Sequence, residues 1–342
     1  MTPWNKAGYG YTTLHSERLS HVAPVWYQVK LQGASVTLEG TDAIDQTWLS
    51  TLHPTTKVVP RFEVQFASRK EVEAVLFFPR DEVKDITDTI MKEVTFRGYD
   101  GIVLEVSYVA QMDNLVKQLS KALRDVNKEL ILVIPAHHKV HEVSPFSHRD
   151  LLKYEPQVDY FSLNAYDHGA ALGENIGNAP LPWLRQILDE LIGSVDKAGT
   201  TTAEFEAYDD DGDPFEDDVF SDTSGGTSPG GTDTKAVLPW AGKVLLGLNF
   251  YGYTFTSDGV INTITATEYK GLLEFSQVSI PLTVEWHERV GEHGLDGKLW
   301  TIWYPTVLSL LHRVDLAAEY GIGLSIWEAG QGLDHFWDIV SV

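Results

Sequence analysis

Seven short apolar runs recur along the chain: 22–29 (VAPVWYQV), 58–66 (VVPRFEVQF), 101–106 (GIVLEV), 130–135 (LILVIP), 158–163 (VDYFSL), 244–250 (VLLGLNF) and 322–327 (IGLSIW). Most are continuous rather than alternating. That is the pattern of parallel strands covered on both faces. Between them, apolar residues return at helical spacing: Val83, Ile86, Ile90 and Val94, then Met112, Leu115, Val116, Leu119, Ala122, Leu123 and Val126. Leu184, Ile187, Leu188, Leu191 and Ile192 form a third stripe, and Leu308, Leu311, Val314, Ala317 and Ala318 a fourth. Each stripe predicts a helix with one buried face.

Strand and helix therefore alternate through most of the chain, which argues for repeated βα units. The abrupt opening at Thr2-Pro3-Trp4 reads as the tail of an eighth strand, and eight close a (β/α)8 TIM barrel over 1–342 as a single domain. An open doubly wound sheet is the alternative. No glycine-rich fingerprint follows any strand, which weakens its nucleotide-binding form.

Two segments break the rhythm. Residues 204–234 are acidic and then rich in Gly, Ser, Thr and Pro, without apolar periodicity, and read as a surface insertion. Residues 260–304 alternate Thr and Ile, become charged and end on LWTIW, the pattern of a small α+β insertion before the last strand.

Charge and composition narrow the partners. Forty-nine acidic against 26 basic residues give a net charge of -23, which repels phosphate backbones and argues against nucleic acid. Cysteine is absent, which removes disulfides and thiolate chemistry. No run reaches membrane-spanning length, and the first residues carry neither a basic nor an apolar leader region. The expectation is either a cytosolic protein or one whose leader lies outside this sequence.

Polar and aromatic groups gather at the C-terminal ends of the predicted strands: Trp26 and Gln28, Arg61 and Glu63, Glu105 and Ser107, Asn164, Tyr166 and Asp167, Asn249 and Tyr251, Trp327 and Glu328. A barrel brings such ends to one cleft. Aromatic faces with carboxylates and amides suit a sugar. Along 101–107, Val103, Glu105 and Ser107 share one face and Leu104 and Val106 the other. If the first set faces the barrel interior, Glu105 must be paired or protonated, with Arg61 as its partner. A structural ion pair and an acid of raised pKa both fit. For glycoside hydrolysis the available acids are Glu105, Asp167, Glu63, Glu285 and Glu328.

No metal or cofactor is expected. His137, His138, His141 and His148 cluster without a compact ligand spacing, and the run Asp209, Asp210, Asp211, Asp213 lacks the glycine and glutamate of a calcium loop. It reads as a solvated acidic loop.

The segment 98–107, GYDGIVLEVS, resembles the fourth-strand signature D-G-x-D-x-D-x-E of family 18 glycoside hydrolases, the chitinases. Asp100 and Gly101 are retained. Val103 stands at the middle aspartate, Glu105 at the last aspartate and Ser107 at the proton-donating glutamate. Tyr166-Asp167 resembles the family's M-x-Y-D element, with Asn164 at the methionine, and Trp327 matches the tryptophan that floors the central sugar site. A closer likeness, to one chitinase-like branch, is carried by motifs spanning nearly the whole chain, among them Thr2-Pro3-Trp4-Asn5, Asn178-Ala179-Pro180-Leu181, 245–252 (LLGLNFYG) and 325–328 (SIWE). The resemblance implies a (β/α)8 barrel with an α+β insertion, oligosaccharide or polysaccharide binding, a secreted or lysosomal setting, and residues ahead of Met1 that complete the first strand.

Three functions follow as expectations. The first is a chitinase-like carbohydrate-binding protein lacking the usual proton donor. In it Trp327, Trp26 and Tyr251 stack on the sugar, Tyr166, Asp167, Asn249 and Glu328 bond it, Asn164 lines the site, and Arg61 with Glu105 fixes the floor. The second is a glycoside hydrolase acting on another glycan through Glu105 with Asp167 or Glu285. The third is a scaffold that meets a protein partner through the acidic insertion.

Overall fold

The computed structural model describes residues 1–33, 35–77, 81–139, 144–195, 201–202, 240–279, 283–287, 290, 292–297 and 300–340. The acidic insertion, 204–234, lies outside them, as does the side chain of Glu285.

The central sheet contains β1 (Tyr27–Gln32), β2 (Ser35–Glu39), β3 (Arg61–Phe66), β4 (Gly101–Val106), β5 (Glu129–Pro135), β6 (Tyr160–Asn164) and β7 (Val244–Asn249). A second, five-stranded antiparallel sheet follows: β8 (Gly252–Thr256), β9 (Ile261–Ile264), β10 (Thr283–His287), β11 (Glu292–Asp296) and β12 (Trp300–Trp303), ordered β9-β8-β12-β11-β10. The chain then returns to the central sheet as β13 (Gly323–Trp327), giving the order β13-β7-β6-β5-β4-β3-β1-β2. Every neighbouring pair there is parallel except the β1–β2 hairpin. A parallel sheet with covering helices is the (β/α)8 barrel architecture.

The apolar run 22–29 is split in the fold. His21–Val22 pairs with Lys57–Val58, and β1 begins only at Tyr27. Pro24, with no amide N–H, lies between the two pieces. Beside them the backbone of Met1 bonds both Ala23 and Val25, the former at 3.4 Å and the latter at 2.8 Å, so Met1 lies alongside this strand in the next position round the barrel.

The helical stripes all fall in helices, but the fourth misses the buried face: in Val307–Tyr320, Leu308, Leu311 and Ala318 are exposed, and Leu310, Arg313, Leu316 and Tyr320 are buried beside Ala317. Val83, Ile86, Ile90 and Val94 are wholly buried in Asp81–Arg97. Each buried aliphatic side chain of this size contributes about 1.5–3 kcal/mol of hydrophobic stabilisation. In Asp113–Arg124, Leu115, Val116, Leu119 and Leu123 are buried, whereas Val126 falls past the helix end and is exposed. Ser147 and Asp150 cap each other reciprocally at the start of His148–Tyr154, and Thr306 and Ser309 do so at the start of Val307–Tyr320. Such caps are worth about 0.5–2 kcal/mol each. The latter helix, α1 here, ends on Gly321 at φ +66°, a conformation that suits glycine and reverses the chain directly into β13.

Candidate functional site

Strand alternation sorts β4 as its residues require. Leu104 and Val106 pack outward into the main core, while Val103 joins Val59, Ile131 and Val133 in a separate apolar cluster inside the barrel. These aliphatic side chains form the deep wall of a cavity of about 740 Å³. Toward the C-terminal ends of the strands the same cavity becomes polar, lined by Glu105, Asn164, Tyr166, Asp167 and Trp327, and by Arg61, which is the first residue of β3 and not at a strand's C-terminal end as the sequence suggested. Its other end reaches the gap between Leu19–Ala23 and the strand β13, where Val22 and Ile326 line it.

Arg61 and Glu105 come together because β3 and β4 are adjacent and parallel, with Arg61 opposite Val103 and Glu63 opposite Glu105. Arg61 Nε and Nη2 both reach Glu105 Oε2 at 2.5 Å. The guanidinium carbon also lies 5.4 Å from the centroid of the Trp327 ring, a cation–π contact that holds the indole. Two donors on one carboxylate oxygen leave Glu105 Oε1 without a donor among the described residues, on a side chain that lines the cavity.

Asp167 reaches the cavity from the turn after β6. Its backbone is left-handed, φ +67° and ψ +16°. Tyr251 and Tyr253, alternate residues on either side of Gly252, both donate their phenol hydroxyls to Asp167 Oδ1, Tyr253 at 2.8 Å. Burial, and then the negative charge of Asp167, push the ionisation of both phenols above the ordinary tyrosine range, so they stay donors at any physiological pH. Tyr166 is shifted upward by burial and then by Asp167 and Glu105, and donates to Asn164 Oδ1 at 2.9 Å. Gly247 makes room for this ring: a Cβ there would stand 3.1 Å from Tyr166 Cε1 and 2.3 Å from the Leu163 carbonyl oxygen.

Six of the ten expected ligand-binding residues thus converge on the cavity, and four stand behind it. Trp26 is 4% exposed; its indole N–H donates to Tyr9 at 2.8 Å and its ring packs against Trp48 and Tyr99. The Asn249 side chain is spent on the Tyr251 carbonyl at 2.8 Å, and Tyr251 itself backs Asp167. Glu328, preceded by a cis peptide bond, is fully buried and accepts from Asn5 at 2.6 Å. Burial raises its pKa against the opposing pull of neighbouring donors and the chain's amino group. Ser107 is exposed at the end of β4.

Sequence reasoning passed over Tyr253 and Asn178. The first was legible as Tyr-Gly-Tyr, whose alternation puts both phenols on one face. The second is 2% exposed and accepts the Asp167 N–H on Oδ1 at 2.6 Å. Of the histidines, His137 pairs with Glu190 at 2.7 Å, and His138 and His168 stack on Trp183. Among the described residues no group of three or more His, Cys, Asp or Glu is placed to hold a metal ion, and no helix is long and apolar enough to cross a membrane.

Residues 77–332 match the model of the glycosyl hydrolases family 18. Among solved structures, the chain is similar to a chitinase from Chromobacterium violaceum at 17% identity and TM-score 0.68, covering 97% of this chain and 93% of that one. A chitinase from Cycas revoluta, in complex with (GlcNAc)4, is similar at 14% identity and TM-score 0.68, with 100% and 97% covered. The Bacillus megaterium spore cortex-lytic enzyme SleL is similar at 11% identity and TM-score 0.68, with 98% and 69% covered.

Proposed function

The chain belongs to glycosyl hydrolase family 18, and from that premise we propose that it binds oligosaccharides of N-acetylglucosamine without hydrolysing them as a chitinase does. The observation that carries this reading is the inward face of β4. Val103 sits among aliphatic side chains and Glu105 is tied to Arg61, while Ser107, exposed just past the strand and off the cavity wall, offers only a hydroxyl. Protonating a glycosidic oxygen near neutral pH requires an acid, and losing general acid catalysis costs about 10²–10⁴ in rate.

Binding groups are nonetheless available. Trp327 offers an aromatic surface, although Arg61 already lies over the ring. Asp167 keeps Oδ2 unpaired among the described residues and can accept an acetamido N–H or a sugar hydroxyl. Asn164 and Glu105 Oε1 add polar partners on the cavity wall. The motif likeness along the chain supports a protein of the chitinase domain-containing protein 1, or stabilin-1-interacting chitinase-like, kind. A secreted or lysosomal setting goes with that likeness and is checked by fractionating cells that express the full gene.

Calorimetry with (GlcNAc)4, alongside a reducing-end assay on the same glycan, tests the reading. Binding that Trp327→Ala abolishes, with no new reducing ends, is the expected result. Reducing ends that appear with the wild-type chain and vanish with Glu105→Gln would overturn it.

Glu105 Oε1, unpaired among the described residues, favours a second reading, a hydrolase in which Glu105 and Asp167 act on a different glycan. A carboxyl separation of about 5 Å in a ligand complex would fit retention and about 6.5–9.5 Å inversion. A hydrolysis screen across glycan classes that yields no product with any substrate removes it.

A further inference from the structure

Few non-glycine residues enter left-handed backbone, Asp and Asn the most readily, and the bonds around the turn decide how firmly it is held. Asp167 does so at φ +67°, and its carboxylate direction depends on that turn. The hold is a buried amide 11 residues further on. Asn178 Oδ1 accepts the Asp167 N–H at 2.6 Å, the Asn178 carbonyl accepts the His168 N–H at 2.8 Å, and Asn178 Nδ2 lies 3.4 Å from the Tyr251 carbonyl oxygen. One side chain therefore contacts both the residue that presents the carboxylate and Tyr251, one of its two phenol donors.

Asn178 is fixed in turn from outside the barrel. Its own N–H and that of Ala179 donate to the two carboxylate oxygens of Glu292, at 2.9 and 2.7 Å. Glu292 begins β11 of the inserted sheet. Its Oε1 also takes Arg313 Nη2 at 2.7 Å, and Arg313, on α1, donates further to the carbonyls of Ala179 and Ser309. Gly177, at φ +96°, allows Glu292 this approach: a Cβ there would stand 3.0 Å from Glu292 Oε2 and 2.7 Å from Val290 Cγ1.

We infer that Asn178, braced by the Glu292–Arg313 pair, is the positioning residue for Asp167, so that the inserted sheet sets how the cavity recognises an acetamido group. Asn178 does not line the cavity; it acts through Asp167 and Tyr251. The inference rests on the sugar-binding reading above.

Its test compares wild type with Asn178→Ala by calorimetry against (GlcNAc)4 and against cellotetraose, which carries hydroxyls in place of acetamido groups. Val83→Ala, in the distant Asp81–Arg97 helix, controls for general loss of stability. Losing one buried hydrogen-bond anchor predicts about a tenfold weaker (GlcNAc)4 affinity and an equal loss of preference over cellotetraose, with Val83→Ala unchanged in both. Unaltered preference in Asn178→Ala, equal weakening toward both glycans, or the same loss in Val83→Ala would each overturn it. If Asn178→Ala does not fold, Glu292→Gln replaces it, with about a threefold loss of preference expected and none refuting. If wild type binds neither glycan, the sugar reading itself fails. A crystal structure of the folded variant then decides the positioning role: Asp167 leaving positive φ supports it, and an unmoved Asp167 with both tyrosine bonds intact refutes it.

Discussion

Arg61 meets Glu105 at the open end of the barrel, with side chains 15% and 31% exposed, whereas Arg313 meets Glu292 behind the cavity at 3% and 8%. The chemistry is the same and the surroundings are not. Glu292 has both oxygens occupied, by two backbone N–H groups and a guanidinium. Glu105 receives both of its contacts on one oxygen and keeps the other for the cavity. Saturation marks the inner pair as a brace, because a buried charge is tolerable only when every lone pair is met. An unfilled acceptor at the outer pair marks a place where a ligand can complete the set.

The contrast breaks most visibly at Arg313. Arg313→Met strands the Glu292 carboxylate in the core and should cost about 3–5 kcal/mol in urea unfolding, little of it recovered in Arg313→Met with Glu292→Met, because the Asn178 and Ala179 N–H groups then lose their acceptor. A loss no larger than an exposed pair gives would remove the distinction. At the other pair, Arg61→Met should change stability by only about 0–1 kcal/mol. The same variant should weaken (GlcNAc)4 binding about tenfold in calorimetry, since it frees Glu105 and releases the Trp327 ring together.

A finer division lies between the two phenols on Asp167. Tyr253→Phe removes one donor and should lower (GlcNAc)4 affinity about threefold to tenfold, with Tyr251→Phe at least as severe because Tyr251 is the more buried of the two. Equal affinity in all three proteins would detach Asp167 from the ligand.

The smallest expected effect is on pH. Burial, then His138 and His137, pushes the His168 pKa from 6.5 down to about 4. Between those values the unfolded chain holds more protons than the folded one, so stability is complete above about pH 6.5 and falls as pH drops toward 4. Thermal melts at pH 7 and pH 5 should show a drop that His168→Gln reduces by a few degrees. An identical drop in the variant would mean that other groups carry the acid sensitivity.

Much of this was legible before any coordinates. The period of the apolar stripes located the helices, and alternation along 101–107 put Val103 and Glu105 on one common face, with Arg61 as the charge partner if that face is the interior one, as it is in the structure. Those readings held because they depend on neighbours in sequence or on adjacent strands. The brace was not legible: Asn178 and Glu292 are 114 residues apart, and nothing in the local pattern of either announces the other. Trp26 shows the converse failure. Its place near a strand end suggested a stacking surface, but Tyr9 and Trp48 from other segments enclose it.

The sequence by itself determined the alternating units and the common face of Val103 and Glu105. Only the tertiary structure decided which polar groups reach the cavity and which support it from behind. Strand periodicity is local and assigns a face. Depth along that face depends on how far neighbouring strands are staggered and on what the inserted sheet packs against, and the hold of that sheet on Asn178 is a contact between residues 114 apart.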